Sequence, residues 1–356
     1  MEAEVSREGG RRSRAARSCA AFLFPVVGRA AINYYICNKM KASKKIVVIG
    51  GGTGIFPVLL GLKKHFQDIT VVVTTADEGG SSGILREEFG ILPPGDLRRA
   101  LVALSSSDNK ILSELFNYRF QEGSGLSGHS FGNLLITALE RITGGFEEAI
   151  EEAGKILSVQ GRVLPVSLKK CSLFAELESG EVIKGETNID VPKHDGRLRI
   201  QKVWLKPEAK INPRAQRAIL AADGIIIGPG DLYTSLLPNL LVEGVSQALR
   251  KSKGRKIYLV NLMTKFGETH GFRASDFLKT IEEYLGKDVL DYVIINKTQP
   301  SLMRFKPYAK ENSQFVEADL GNFGQRPIPV VVDLLRKSGF IRHDPEKVAA
   351  AIKTLI

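Results

Sequence analysis

Cysteine is scarce in this chain. There are three in 356 residues, Cys19, Cys37 and Cys171, and none stand in a C-x-x-C pair. That spacing supports neither a disulfide framework nor a zinc site, and it suits a reducing compartment, so a cytoplasmic location is expected. Long apolar runs are missing too. Cys19–Val27 is too short to cross a bilayer and no later run is long enough, so no membrane span is expected. A basic footprint is lacking as well. The net charge is +11, but residues 1–45 carry ten Lys/Arg against three Glu, which leaves only +4 for the rest. Nucleic acid is therefore not expected as a ligand. Internal repeats and low-complexity tracts are not apparent.

The first 39 residues stand apart. A basic segment, REGGRRSRAARS, precedes the short apolar stretch and GRAA, which reads as a weak signal peptide or membrane contact. The other reading is a leader that is disordered or upstream of the true start. Met40 is followed by KASKK and then directly by the first apolar strand. The expectation is one domain over 40–356, with an insertion near 162–205.

The most informative stretch that is present is IVVIGGGTGIFPVLLGL at Ile46–Leu62. A short apolar strand breaks into Gly50, Gly51, Gly52 and Gly54 and then becomes an apolar-periodic helix. Glycines let a backbone approach a phosphate closely, and a helix start presents N–H groups to it. The dinucleotide fingerprint is nevertheless absent. In G-x-G-x-x-G register the sixth position is Ile55 from Gly50 and Pro57 from Gly52, and no lysine follows to complete a Walker loop. A plain strand-turn-helix corner stays open as the other reading.

Beyond it, strands and helices alternate. Ile69–Thr75, Gly224–Ile227, Lys256–Val260 and Asp291–Ile295 are short β-branched runs, as expected of parallel strands buried on both faces. Helices are expected at Pro57–His65, Leu97–Leu104, Lys110–Phe120, Phe131–Ile142, Phe146–Leu157 and Pro345–Leu355. Ser172–Thr187 alternates apolar and polar residues around Ser179-Gly180, the pattern of an antiparallel hairpin. The fold class is therefore α/β, a Rossmann-like three-layer, mostly parallel sheet with an antiparallel hairpin insertion.

Ligands of such sheets sit at the carboxyl ends of the strands, and several loops there carry chemistry. In TTADEGGSSG, Asp77 lies 25 residues beyond Gly52, and Gly79–Gly83 reads as a flexible loop with Ser81 and Ser82 as donors; an exposed turn capped by Asp77 is the alternative. In ILPPGDLRRAL, Asp96 reads as an N-cap. Arg98 and Arg99 in the first turn oppose the helix dipole, as an anion site would require, or are simply solvated. In GLSGHSFGNLLITAL, His129 and Asn133 share a face if that segment is helical. Gly228-Pro229-Gly230-Asp231 repeats the strand-glycine-helix pattern, with Tyr233, Thr234 and Ser235 behind it. Glu268, Thr269 and Asn296 follow later strands and rank lower.

In order, GGGTG, TTADEGGSSG, GILPPGDLRRALVAL, LFNYRF, GHSFGNLLITAL, GRVLPVS, GPGDLYTSLLPNLLV and GETHGF resemble the YvcK/CofD-like family, over about Lys45–Asn296, and most closely its YvcK-type gluconeogenesis-factor branch. The resemblance implies a Rossmann-like cytoplasmic protein that binds UDP-sugars, chiefly UDP-N-acetylglucosamine, and supports cell-wall synthesis and cell shape. It also implies a related branch, 2-phospho-L-lactate transferase, which is metal-dependent. Three departures stand out. Glu78 replaces the second acid of ADDGGSSG, Asp231 stands in GPGDLYTS where GPGSLYTS is usual, and TKFGETHGF replaces TQPGETDGY.

The ligand-binding residues expected on this basis are Gly51, Gly52, Thr53, Gly54, Asp77, Ser81, Ser82, Arg98, His129, Asn133, Gly228, Gly230, Tyr233 and Thr234. The leading expectation is a non-catalytic UDP-sugar-binding regulator with no required cofactor, a homo-oligomer with a regulatory protein partner. The alternative is a phospholactate-type transferase, in which Asp77 and Glu78 are catalytic, Asp77 holds Mg²⁺, and Arg98 or Arg99 neutralises phosphate. An NAD(P)-dependent redox enzyme is a third reading.

Overall fold

The computed structural model describes residues 43–106 and 110–356. The expectations for residues 1–39 lie outside the described residues. β1 (Lys45–Gly50), β2 (Asp68–Val73), β3 (Arg162–Pro165), β7 (Gly224–Ile227), β8 (Arg255–Leu259), β9 (Tyr292–Asn296) and β10 (Ile328–Val332) form one seven-stranded sheet. Its order is β10-β9-β8-β7-β1-β2-β3 and every pairing is parallel. The chain leaves β1 towards β2 and β3, then returns to β1's other side with β7. The strand order therefore switches between β1 and β7, which is where an open α/β sheet forms its crevice.

Residue parity explains why these runs lack alternation. Val47, Ile49, Val72, Ile225 and Ile227 pack into one core, while Ile46, Val48, Val71, Val73 and Ile226 pack into another on the opposite face. Successive side chains point to opposite faces, and both faces are covered by helices. The edge strands end in or contain proline, Pro165 and Pro329, where a missing donor costs no ladder bond.

β4 (Ser172–Leu177), β5 (Val182–Lys184) and β6 (Ile200–Lys206) form a separate antiparallel sheet in the order β5-β4-β6. The hairpin is where the alternation places it, and β6 adds a third strand. Leu173, Ala175, Leu177, Val203 and Leu205 join the first core. β3 belongs to the parallel sheet, so the antiparallel part begins at Ser172.

Several helices match their sequence signals. Pro345–Leu355 forms as read, with Asp344 accepting from Glu346 and Lys347 N–H, and its Val348, Ala349 and Ile352 enter the second core beside Val48 and Ile226. Lys110–Asn117 stops three residues short of the expected end. The main correction is at Gly79–Gly83. That segment opens a ten-residue helix, Gly80–Phe89, whose first turn has the Gly79 carbonyl accepting from Ser82 and Gly83 N–H. Among the described residues no helix is long and apolar enough to cross a membrane.

Candidate functional site

The two glycine loops meet at the β1/β7 switch point. Gly54 lies so close to the second loop that an added Cβ would stand 2.5 Å from the Pro229 carbonyl oxygen and 2.6 Å from Gly230 Cα. Gly52 has φ +62°, a left-handed turn that glycine adopts without steric cost. Asn261, just past β8, pins the second loop from behind: its Oδ1 accepts from Gly230 N–H at 3.1 Å and its Nδ2 donates to Gly230 O at 2.8 Å. After Asp231 the chain enters one π-helical turn, Leu232–Leu236, carrying Thr234 and Ser235.

Two cavities adjoin across these loops and share Thr53, Asp231, Ser235 and Lys265. One, of about 450 Å³, is lined by Gly52, Asp77, Ser81, Ser82, Asp96, Arg98, Arg99, Arg119, Asn133, Glu186, Thr187, Asp190 and Thr234. The other, of about 380 Å³, takes in Gly54, Pro57, Gly230, Asn261, Tyr308, Ile341, Arg342 and His343. Both fall within the usual size of small-molecule sites.

Of the residues expected to bind ligand, Gly52, Thr53, Asp77, Ser81, Ser82, Arg98, Asn133 and Thr234 line the first cavity, and Gly54 and Gly230 the second. The other four do not line either. Gly51 packs on Asp96, whose Oδ2 an added Cβ would meet at 2.5 Å. Gly228 donates its N–H to Ile49 O. Tyr233 is buried and its hydroxyl donates to Ile200 O at 3.3 Å. His129 is buried, and it precedes the helix Phe131–Thr143 rather than sharing a face of it with Asn133. Its Nδ1 stands 3.2 Å from Ser81 Oγ, which accepts from Asn133 Nδ2 and Ser130 N–H. His129 and Tyr233 therefore act from behind the cavity wall. Glu78 is spent in the same way: it pairs with Arg86 at 2.9 Å, and Arg86 also donates to Cys171 O.

Arg98 is neither a solvated residue nor an uncommitted cation. It is buried, donating from Nε to Asn133 Oδ1 at 2.9 Å and from Nη1 to Phe116 O and Asn117 Oδ1. Burial, with Arg99 and Arg119 nearby, lowers its pKa to about 10. Asp96 is not a cap, since Pro94 holds that position. Its buried carboxyl accepts from Gly52 N–H and pairs with Arg99 at 3.2 Å, and burial and Asp77 push its pKa up to about 7. Glu186, from the antiparallel region, is raised to about 8 by burial, Asp77 and Asp190.

Glu268 turns out to be central. It accepts from Tyr233 N–H and Thr234 Oγ1, each at 3.1 Å, and so fixes the second loop. Burial raises its pKa to about 7 against the pull of Lys265. Burial also holds His343 neutral, with a pKa near 4. Asn261 and Glu268 carried one sequence signal, a polar residue close behind a buried strand. Tyr308 and Arg342 carried none.

The description 2-phospho-L-lactate transferase CofD matches residues 46–335. The chain belongs to the CofD family. It is 41% identical over 322 residues to the gluconeogenesis factor of Bacillus subtilis, covering 89% of this chain and 99% of that protein. To the gluconeogenesis factor of Halalkalibacterium halodurans it is 43% identical, covering 87% of this chain and 95% of that one. A crystal structure of a UPF0052-family protein from Bacillus halodurans superposes with a TM-score of 0.83 at 41% identity, over 88% of this chain and 99% of that one. The fold, with its α/β sheet, is thus shared within the family.

Proposed function

We propose that this CofD-family chain is a cytoplasmic UDP-sugar-binding regulator of the gluconeogenesis-factor type, with UDP-N-acetylglucosamine as ligand, acting in cell-wall synthesis and cell shape through a protein partner. The observation that carries this reading is the pair of adjoining cavities at the β1/β7 switch, joined along Thr53 and Ser235. A nucleotide sugar has that form: two end groups joined by a diphosphate. The diphosphate lies against Gly52–Gly54, Gly230 and the two hydroxyls. The sugar faces the polar end, with Asp77, Ser81, Ser82 and Asn133, and the base faces Pro57, Tyr308 and Ile341.

The transferase reading needs Mg²⁺ at Asp77 with Glu78 assisting. Glu78 does not fit that role, because it is committed to Arg86. Asp77 accepts from Gly79 N–H through one oxygen and lines the polar cavity. One carboxylate with substrate phosphates is enough for Mg²⁺, so the titration with and without Mg²⁺ decides between the two readings. A binding protein needs neither group for chemistry. The test is calorimetric titration of the full chain with UDP-N-acetylglucosamine, with and without Mg²⁺, using GDP and NADP as competitors. Micromolar binding without Mg²⁺ and without turnover is expected, and Asp77→Ala and Thr234→Ala should each weaken it about tenfold or more, the loss of one hydrogen bond to a charged or polar ligand group. Mg²⁺-dependent binding of GDP in preference would overturn the reading.

Electrostatics gives this site a pH dependence. Asp96 and Glu186, with pKa values near 7 and 8, are protonated below those values and become anionic above them. The diphosphate of a UDP-sugar does not titrate in that range, so rising pH adds negative charge only to the cavity. Affinity is expected to fall about three- to tenfold from pH 6 to pH 9. Titrations at the two pH values check this, and Asp96→Asn with Glu186→Gln should reduce the slope, leaving the part contributed by Glu268 behind Thr234, whose pKa is also near 7.

A further inference from the structure

Lys265 stands where the two cavities meet. Its ammonium pairs with Asp190, with Asp231 at 3.0 Å and with Glu268 at 3.3 Å. The three acids come from separate parts of the chain. Asp190 ends the helix Glu186–Asp190, Asp231 follows β7, and Glu268 lies beyond β8. One oxygen of each falls within 4.8 Å of the others, the only such group among the described residues. Carboxylates at that separation repel one another and are held together by a cation. Divalent ions with oxygen ligands are the usual solution. Here a side chain supplies the charge. Burial works against the ammonium, but Glu268, Asp231 and Asp190 outweigh it and raise its pKa above the ordinary value.

Asp231 follows β7 and Lys265 follows β8, and the structure brings these two residues of opposite charge into direct contact.

We infer that Lys265 is a built-in counter-cation, occupying the place a divalent ion would take among Asp190, Asp231 and Glu268, so that the seam between the cavities closes without metal and ligand binding does not depend on Mg²⁺. The last clause rests on the nucleotide-sugar reading; the rest does not. The ion cluster ties the antiparallel region to the loops after β7 and β8. Removing the ammonium leaves three carboxylates with the spacing of a metal site.

The test is electron paramagnetic resonance of Mn²⁺ with the full chain, using the metal alone as probe. Wild type is expected to bind no Mn²⁺ that Asp231→Asn removes. Lys265→Gln, neutral and of similar reach, is expected to bind one Mn²⁺ at least tenfold more tightly than wild type, and to lose it when Asp231→Asn is added. Wild-type Mn²⁺ binding abolished by Asp231→Asn would overturn the inference, because the lysine would then be yielding to the metal. So would a folded Lys265→Gln variant that binds none. Should that variant not fold, the wild-type comparison decides alone. A parallel titration of wild type with UDP-N-acetylglucosamine in EDTA and in Mg²⁺ is expected to give the same affinity. Failure to bind the sugar nucleotide at all would overturn the functional reading and leave the Mn²⁺ result standing.

Discussion

Gly54→Ala is expected to abolish UDP-sugar binding and to lower stability by about 2 kcal/mol, the cost of forcing a methyl into a filled contact. The new Cβ would lie 2.5 Å from the Pro229 carbonyl oxygen, 2.6 Å from Gly230 Cα and 2.8 Å from the Pro229 carbonyl carbon. All three are backbone atoms, so no side chain can swing aside. The backbone itself is restrained on both sides of the contact. β1 and β7 are hydrogen-bonded neighbours, and Asn261 grips Gly230 through both its N–H and its carbonyl. Relief must therefore come from separating the loops, which moves Thr53 and Ser235 apart at the seam of the two cavities. Gly321→Ala is the matched control, since its Cβ would meet nothing within 4 Å. Calorimetry and urea unfolding of both variants check the prediction. Normal binding by Gly54→Ala would mean that the touching loops do not form the ligand site.

How much of this could be read beforehand depends on which forces set each element. β1, β2, β7, β8 and β9 were legible because strands buried on both faces need continuous β-branched residues, and the runs at Ile46, Ile69, Gly224, Lys256 and Asp291 have them. The final helix was legible from its Asp344-Pro345 start. Gly80–Phe89 was not. Glycine and serine favour a helix weakly, and this one is held by tertiary contacts: Ser81 and Ser82 are buried against Asn133 from a helix some fifty residues later. β10 was hidden by Pro329, which only an edge position tolerates.

The site divides along the same line. Loops that leave buried strands announced Thr53, Asp77, Gly230 and Thr234. The motifs could not separate cavity lining from support, so Tyr233 and His129 read as ligand contacts, and Glu78 as a catalytic acid of the transferase alternative, although all three face the protein. Glu186 and Asp190 had no local signal at all, and Lys265 had only its place in TKFGETHGF, a departure with no role attached to it. Some 75 residues separate Asp190 from Lys265, and their pairing exists only once the antiparallel region packs over the loops.

Arg98→Met is the other large effect, and it is one of stability. The side chain is buried and its guanidinium serves Asn133, Phe116 and Asn117 at once. Removing it leaves the Asn133 Oδ1 without that donor inside the wall of the cavity, and each buried acceptor so left costs about 1–3 kcal/mol. An opposing gain comes from no longer burying a charge, whose cost is visible in a pKa drawn down to about 10. Phe116 O keeps a second donor in Ser130 Oγ, and Asn117 is exposed to water, so those losses are partly made good. The balance is a destabilisation of about 2 kcal/mol, to be measured by urea unfolding. Arg98→Lys should not restore it, because a single ammonium cannot reach from Asn133 to Asn117 as the two sides of a planar fork do. Gly132 belongs to the same arrangement: an added Cβ there would stand 2.7 Å from Arg98 Cδ and 2.6 Å from Phe116 O. The glycine in GHSFGN thus makes room for the arginine in GDLRRAL, which in turn orients the Asn133 amide towards Ser81 and Ser82. Ligand affinity should accordingly fall in Arg98→Met as well. Unchanged stability with lost binding would instead make Arg98 a direct contact to the anion.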